Sequence, residues 1–261
     1  GVVIAAINEE RLSRKKQVSG FPFLSLEAIW QISGIKPSQI ELVGIVGGSL
    51  DSTPLNNDFS FEDGSYSFSQ KTAEYLSEYK IGKSILSNLV LNECYQKIVW
   101  LKSRANLRLI REYLLKYEVS APITTVEHHD GHIAAAYFCS GSPDCLVFSN
   151  DGFGDGLCAK VGLMTHYGAP IDIISKNIFF NSLGVYYNYV TQHCGFKKAH
   201  HAGKTTGLAA FGDPSKTLHI FQSLIDWDIG RGMYVNKGKI FRRSLQQLSE
   251  ALSKFSKEDA A

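Results

Sequence analysis

Long hydrophobic runs are missing from this 261-residue chain. Its longest apolar stretches, such as Val2 to Ile7, fall far short of the roughly 20 residues a bilayer-spanning helix needs, and no charged-then-apolar leader precedes them. A dominant charge is missing too. The formal net charge is +2, and apart from Arg11 to Lys16 the basic residues are scattered, so no strong field recruits nucleic acid or a membrane surface. The five cysteines are odd in number and form no Cys-x-x-Cys pair, which disfavours a disulfide scaffold and a thiolate zinc site. Reduced, mostly buried thiols in a cytoplasmic protein are the expectation. There is no internal repeat, no low-complexity tract and no Gly-x-Ser-x-Gly elbow, and no cysteine has a basic or histidine context that singles it out as a nucleophile. The initiator methionine is absent as well, so a trimmed chain is expected.

What remains is an ordinary globular composition, 44% hydrophobic and 20% charged, long enough to bury a sizeable core. Val2 to Ile7 is a β-branched apolar run that suits a buried strand. Pro22 to Ser33 carries helical spacing and stops at Gly34, and Ile40 to Val46 reads as a second strand, which suggests a layered α/β domain. Asp51 to Gln70 reads as an irregular excursion. Lys71 to Tyr117 is broadly helical, broken near Gly82 or Asn92, with Leu107, Ile110, Leu114 and Leu115 as one apolar stripe.

Pro122 to Val126 predicts a strand that feeds an Ala-rich helix through Glu127-His128-His129-Asp130-Gly131-His132. Asp144 to Asn150 and Leu157 to Met164 predict a hairpin joined by the Gly-rich turn Asp151 to Gly156, with Ile171 to Phe180 extending the meander. Helices are expected over Leu183 to His193, around Thr205 to Phe211 and over Ser215 to Trp227. A small hairpin turning at Asn236 to Gly238 and a polar last helix from Ser244 complete the reading.

His128 and His132 are four residues apart, so one helical turn can stack both imidazoles on one face and aim them at one metal ion. A capped helix start with hydrogen-bonded histidines is the plain alternative. Asp151 ends the next strand, where a third, anionic ligand becomes available. Two histidines and a carboxylate suit Fe(II), Zn(II) or Mn(II) better than Mg(II), with Fe(II) placed first. His129 is offset around the helix and is read as a contact to the ligands or substrate, or as a surface residue.

The run Asp151 to Gly156 is not a calcium loop, because Phe153 and Gly162 fall where ligands belong. Gly152, Gly154 and Gly156 instead allow backbone amides to approach an anionic ligand, or simply make a tight hairpin. Gly203-Lys204-Thr205 lacks the preceding glycine of a Walker A loop. Lys204 at a helix start remains a candidate anion contact. His200 and His201 are read as surface residues of a turn, with a ligand role as the alternative.

Taken together, four segments resemble the O-carbamoyltransferases of nodulation-factor and antibiotic biosynthesis. They are Ala6 to Lys16, Glu127 to Tyr137, Asp151 to Gly156 and Gly203 to Gly212, in the family's order; Thr206 stands where the family usually has Met. The resemblance implies an actin and sugar-kinase-like (ribonuclease H-like) α/β fold of two lobes. A first lobe over residues 1–143 would lack its first strand, and an incomplete second lobe would begin at Asp144.

The resemblance also implies a one-carbon-group transferase. A carboxy-terminal domain makes carbamoyl-adenylate from carbamoyl phosphate and ATP, and the lobed domain passes the carbamoyl group to a hydroxyl of a small acceptor such as a sugar, aminoglycoside, macrolide or lipo-oligosaccharide. The family's metal ligands fall on His128, His132 and Asp151, with a further Asp expected beyond Ala261, so the isolated fragment is expected to be inactive. Gly152, Gly154, Gly156 and Lys204 are the expected nucleotide contacts, and His129 or Asp155 the expected base for the hydroxyl proton. A kinase-like phosphotransferase with Asp155 as base, and a non-catalytic scaffold lobe, are the alternatives. A homodimer is open, and neither nucleic acid nor membrane is expected as a partner.

Overall fold

The described residues hold a parallel strand pair, an antiparallel three-stranded meander and a small antiparallel hairpin, with helices packed around them. The computed structural model describes residues 2–15, 20–47, 104–197, 201–230, 232–237 and 241–261. These residues fall into two compact units, one before Glu127 and one from Glu127 to Ala261. The expected excursion over Asp51 to Gln70 and the helical breaks at Gly82 or Asn92 lie outside the described residues.

In the first unit, helices α1 (Glu9–Ser13) and α2 (Phe23–Ser33) precede β1 (Val43–Val46), and α3 (Arg104–Lys116) precedes β2 (Ile123–Val126). β1 and β2 pair in parallel, Val43 opposite Ile123. The α2 boundaries agree with the sequence. At its end Gly34 takes the left-handed conformation that its N–H needs to reach the Trp30 carbonyl. At its start the Glu9 carboxylate accepts the amides of Leu24 at 3.2 Å and Ser25 at 2.8 Å, satisfying donors that the helix leaves unpaired. The core gathers Phe21, Ile110, Leu114, Val119 and Ala121. Leu115 leaves the expected stripe and is 53% exposed, because it lies about 100° around the helix from Leu114.

Val2 to Ile7 is a correction. The segment is irregular, with Val2 and Val3 more than 80% exposed. A strand exists only through a neighbour's hydrogen bonds, and no described strand lies beside this run.

The second unit opens with α4 (His128–Ser140), followed by the meander β3 (Cys145–Gly154), β4 (Leu157–Met164) and β5 (Asp172–Ile178). The sheet order is β3-β4-β5, antiparallel throughout, as the sequence predicts. Residues Asp155 and Gly156 turn the first hairpin with φ of 50° and 83°, the pair of positive values that a two-residue type I′ turn requires. α4 packs its His129, Ile133 and Tyr137 face, spaced by four, onto this sheet through Val147 and Met164.

Beyond the meander come α5 (Leu183–His193), α6 (Ala202–Ala209), α7 (Leu218–Leu224), the hairpin β6 (Ile225–Asp228) and β7 (Met233–Asn236), then α8 (Phe241–Leu252) and α9 (Lys257–Ala260). Two expectations change here. The helix over Ser215 to Trp227 ends at Leu224, because Ile225-Asp226-Trp227-Asp228 pairs with Met233 to Asn236, so the small hairpin sits earlier than read, with Asp228 opposite Met233. The last helix is not simply polar: Leu245, Leu248 and Leu252, spaced by three and four, are 2%, 1% and 0% exposed and join Val185, Val190 and Leu224 in the largest core. No helix among the described residues is long and apolar enough to cross a membrane.

Candidate metal centre

The buried series His129, Ile133, Tyr137 fixes the phase of α4, and His128 and His132 lie one residue earlier on the same helix, at the edge of its buried face. Both histidines meet Asp151 there. His128 Nε2 lies 2.9 Å and His132 Nε2 3.4 Å from Asp151 Oδ2, and the two nitrogens are 3.1 Å apart. The His128 side chain is 28% exposed, His132 and Asp151 about half.

Strand periodicity and a bulge deliver Asp151. Val147 and Ser149 face α4, and a period of two carries Asp151 to the same side. Between the pairs Asn150–Ala159 and Gly154–Leu157, β3 holds Asp151, Gly152 and Phe153 where β4 holds only Cys158. Such a bulge re-aims side chains at the end of a ladder. Helix α5 closes on it: Ser182 donates to the Gly152 carbonyl while capping the Val185 amide at 3.1 Å. Gly184 approaches so closely that a Cβ there would stand 2.7 Å from the Gly152 Cα.

The same hairpin grips the start of α4. Glu127 caps the helix with both oxygens, accepting the amides of His129 at 3.0 Å and Asp130 at 3.1 Å. Asp155, from the turn, accepts the His128 amide at 2.8 Å. The first three helical amides are thus met by carboxylates, which also complement the positive end of the helix dipole. Lys160, from β4 and only 5% exposed, places its ammonium 2.8 Å from Glu127 and 2.5 Å from Asp130. Burial disfavours its charge, but the hydrogen bonds to Asp130 and Glu127 win and its pKa lies above the ordinary lysine value. Gly154 leaves the room His128 needs, since a Cβ on it would stand 2.1 Å from the imidazole ring.

The electrostatics follow these contacts. The hydrogen bond to Asp151, opposed by partial burial, raises the His128 pKa, and its counterpart to His128 holds the Asp151 carboxyl well below the carboxylate range. His129 is fully buried. Its Nδ1 shares a 2.8 Å hydrogen bond with the Ser149 hydroxyl. Its Nε2 makes no hydrogen bond of normal geometry, although the Leu157 carbonyl acts on the ring. Burial pushes its pKa down, so the imidazole is neutral at pH 7.

His128, His132 and Asp151 fit a divalent ion. Their three atoms define a circle of about 1.8 Å radius, inside the roughly 2.0–2.2 Å of metal–imidazole and metal–carboxylate bonds, so one ion can touch all three from just outside their plane. Among the described residues this is the one such group.

The other expected residues fall out differently. Asp155 is 8% exposed and holds the His128 amide. Of the three turn glycines, Gly154 makes room for an imidazole and Gly156 takes the left-handed turn position, while a Cβ on Gly152 would meet nothing. Lys204 lies exposed on α6, its ammonium 5.9 Å from the Phe196 ring centroid. His201 precedes α6, and its ring accepts the Lys197 amide. Sequence reasoning missed Lys160, Ser149 and Ser182. A lone lysine inside Leu157-Cys158-Ala159-Lys160-Val161, an otherwise apolar strand, was the available signal for the first. No local pattern marks the two serines.

These features define a mixed α/β protein with a histidine, histidine and carboxylate cluster between a helix start and a bulged hairpin. Comparison with known families then places it: the model of the carbamoyltransferase N-terminus matches residues 1–256, and the chain belongs to that family. The uncharacterized protein sll1178 of Synechocystis sp. is 26% identical over 227 residues, 87% of this chain and 34% of its own. The nodulation protein NolNO of Sinorhizobium fredii is 26% identical over 228 residues, 87% of this chain and 28% of its own. The nodulation protein NolO of Bradyrhizobium diazoefficiens is 34% identical over 101 residues, 37% of this chain and 17% of its own. The chain spans about a third or less of the length of these curated relatives.

Proposed function

We propose that this chain is the metal-binding part of an enzyme that transfers a carbamoyl group from carbamoyl-adenylate, made from ATP and carbamoyl phosphate, to a hydroxyl of a small-molecule acceptor. The observation that carries the reading is the convergence of His128, His132 and Asp151 in a chain of the carbamoyltransferase N-terminal family. An actin-like fold with lobes divided near Asp144, a cytoplasmic location and a carboxy-terminal domain that forms the adenylate belong to the same proposal.

His128, His132 and Asp151 would hold a divalent ion, Fe(II) first by the donor set, which would supply Lewis-acid stabilisation of negative charge on a carbonyl oxygen. The residues do the rest. His128 and His132 present their Nε2 atoms as neutral donors, and Asp151 adds the negative charge that makes the set favour a cation. Asp155 and Gly154 hold His128 in place, one by its amide and one by the space beside its ring. His129 and Asp155 are 0% and 8% exposed, which suits holding α4 better than reaching an acceptor hydroxyl. Gly152, with open space where a Cβ would stand, is the turn glycine best suited to a close approach of ligand to backbone.

The test is transfer itself. Full-length protein given ATP, carbamoyl phosphate and a panel of hydroxylated sugars and antibiotics is expected to yield an acceptor heavier by one carbamoyl group, with loss of at least 100-fold on His132→Ala. A phosphorylated acceptor with ADP release, or no modified acceptor from any class, contradicts the proposal.

A further inference from the structure

The buried Lys160 does more than neutralise two carboxylates. Its ammonium bridges Glu127 at 2.8 Å and Asp130 at 2.5 Å, and Glu127 is the residue whose oxygens cap the amides of His129 and Asp130. Lysine from β4 therefore ties the first turn of α4 to the strand paired with β3, and β3 carries Asp151. Two of the three metal-facing side chains ride on the element that Lys160 grips, and the third rides on the hairpin it belongs to. Asp155 to the His128 amide and Ser149 to the His129 ring join the same two elements, but each acts at one point. Lys160 is itself only 5% exposed, and its charge is compatible with that burial because two carboxylates of the helix start accept from its ammonium.

We infer that Lys160 is a positioning residue for the metal centre, setting the register of His128 and His132 against Asp151 through Glu127 and Asp130. The inference rests on the metal-centre reading above and adds to it a residue that touches none of the three ligands. It makes a prediction of unusual sign. Lys160 is a positive charge near a cation site, so if it acted only through its field, removing it would raise metal affinity. As a positioning residue its removal lowers affinity, by about 10- to 100-fold, the range for outer-shell partners of metal ligands.

The experiment titrates Co(II) into full-length wild-type, Lys160→Met, Lys160→Arg and His132→Ala proteins against a chromophoric chelator, recording the visible ligand-field spectrum. The expected result is tight binding by wild type, weakening of at least tenfold with a changed spectrum in Lys160→Met, and recovery of most of the affinity and the wild-type spectrum in Lys160→Arg. Should Lys160→Met not fold, Lys160→Gln, which keeps a hydrogen-bond donor at the position, takes its place with the same expectation. Affinity in the Lys160 variant equal to or above wild type, with an unchanged spectrum, overturns the inference while leaving the metal centre standing. Absence of Co(II) binding by wild type, or binding that His132→Ala leaves unchanged, overturns the metal centre and the inference with it.

Discussion

Asp151 divides its oxygens: Oδ1 accepts the amide of Gly152, and Oδ2 faces both His128 and His132. With no ion bound, this pair has a defined response to pH. His128 is raised above the ordinary 6.5, so its contribution to stability is full below that value and is lost as pH rises through the folded pKa. Asp151 is depressed below the ordinary 3.8, so its contribution is present above that value and is lost only as pH falls through the folded pKa. The pair therefore supports the metal-free fold best between these two ordinary values. Chelator-treated protein is expected to lose melting temperature as pH rises above about 6.5, with a smaller loss in Asp151→Asn. Co(II) affinity should rise over the same range, because the ion competes with the His128 proton. Parallel slopes in wild type and Asp151→Asn would contradict the pairing.

Among elements, the junction of α4 with the β3–β4 hairpin builds the site, and Gly154 is its tightest point. Gly154→Ala should push the His128 ring aside, costing about 1–3 kcal/mol in urea unfolding and lowering Co(II) affinity. Wild-type stability and affinity would show that the ring has room to spare. Much of this junction was legible in the sequence. The histidine spacing of four, the strand before Asp151 and the Gly-rich turn each follow from local periodicity. The full burial of His129 departs from its reading as a ligand-side, substrate or surface residue, although it heads the series His129, Ile133, Tyr137. The bulge at Asp151 to Phe153 was not legible, because its register is set by pairing with β4. The strand β6 was hidden for a related reason: Ile225 to Asp228 continues a helical pattern, and only its pairing with Met233 to Asn236 makes it a strand. The apolar run Val2 to Ile7 failed in the opposite direction, having strand composition but no described strand to pair with.

For the whole molecule, two units with separate cores divide the described chain, and every residue of the metal cluster lies in the second. Family membership rests on a match over nearly the full length, which agrees with the resemblance carried by four segments spread from Ala6 to Gly212. What those segments do in the fold is uneven. Glu9 caps α2, Glu127 to Tyr137 forms most of α4, and Asp151 to Gly156 makes the bulge and turn, so two of the four assemble the proposed site. The central claim is that His128, His132 and Asp151 hold one ion. Its most direct test is metal content after anaerobic purification of full-length protein, wild type beside His128→Ala, His132→Ala and Asp151→Ala. The account predicts about one transition-metal ion per wild-type chain and its loss in each variant. Full metal content in all three variants, or none in wild type after reloading with Fe(II), Zn(II) and Mn(II), would contradict it.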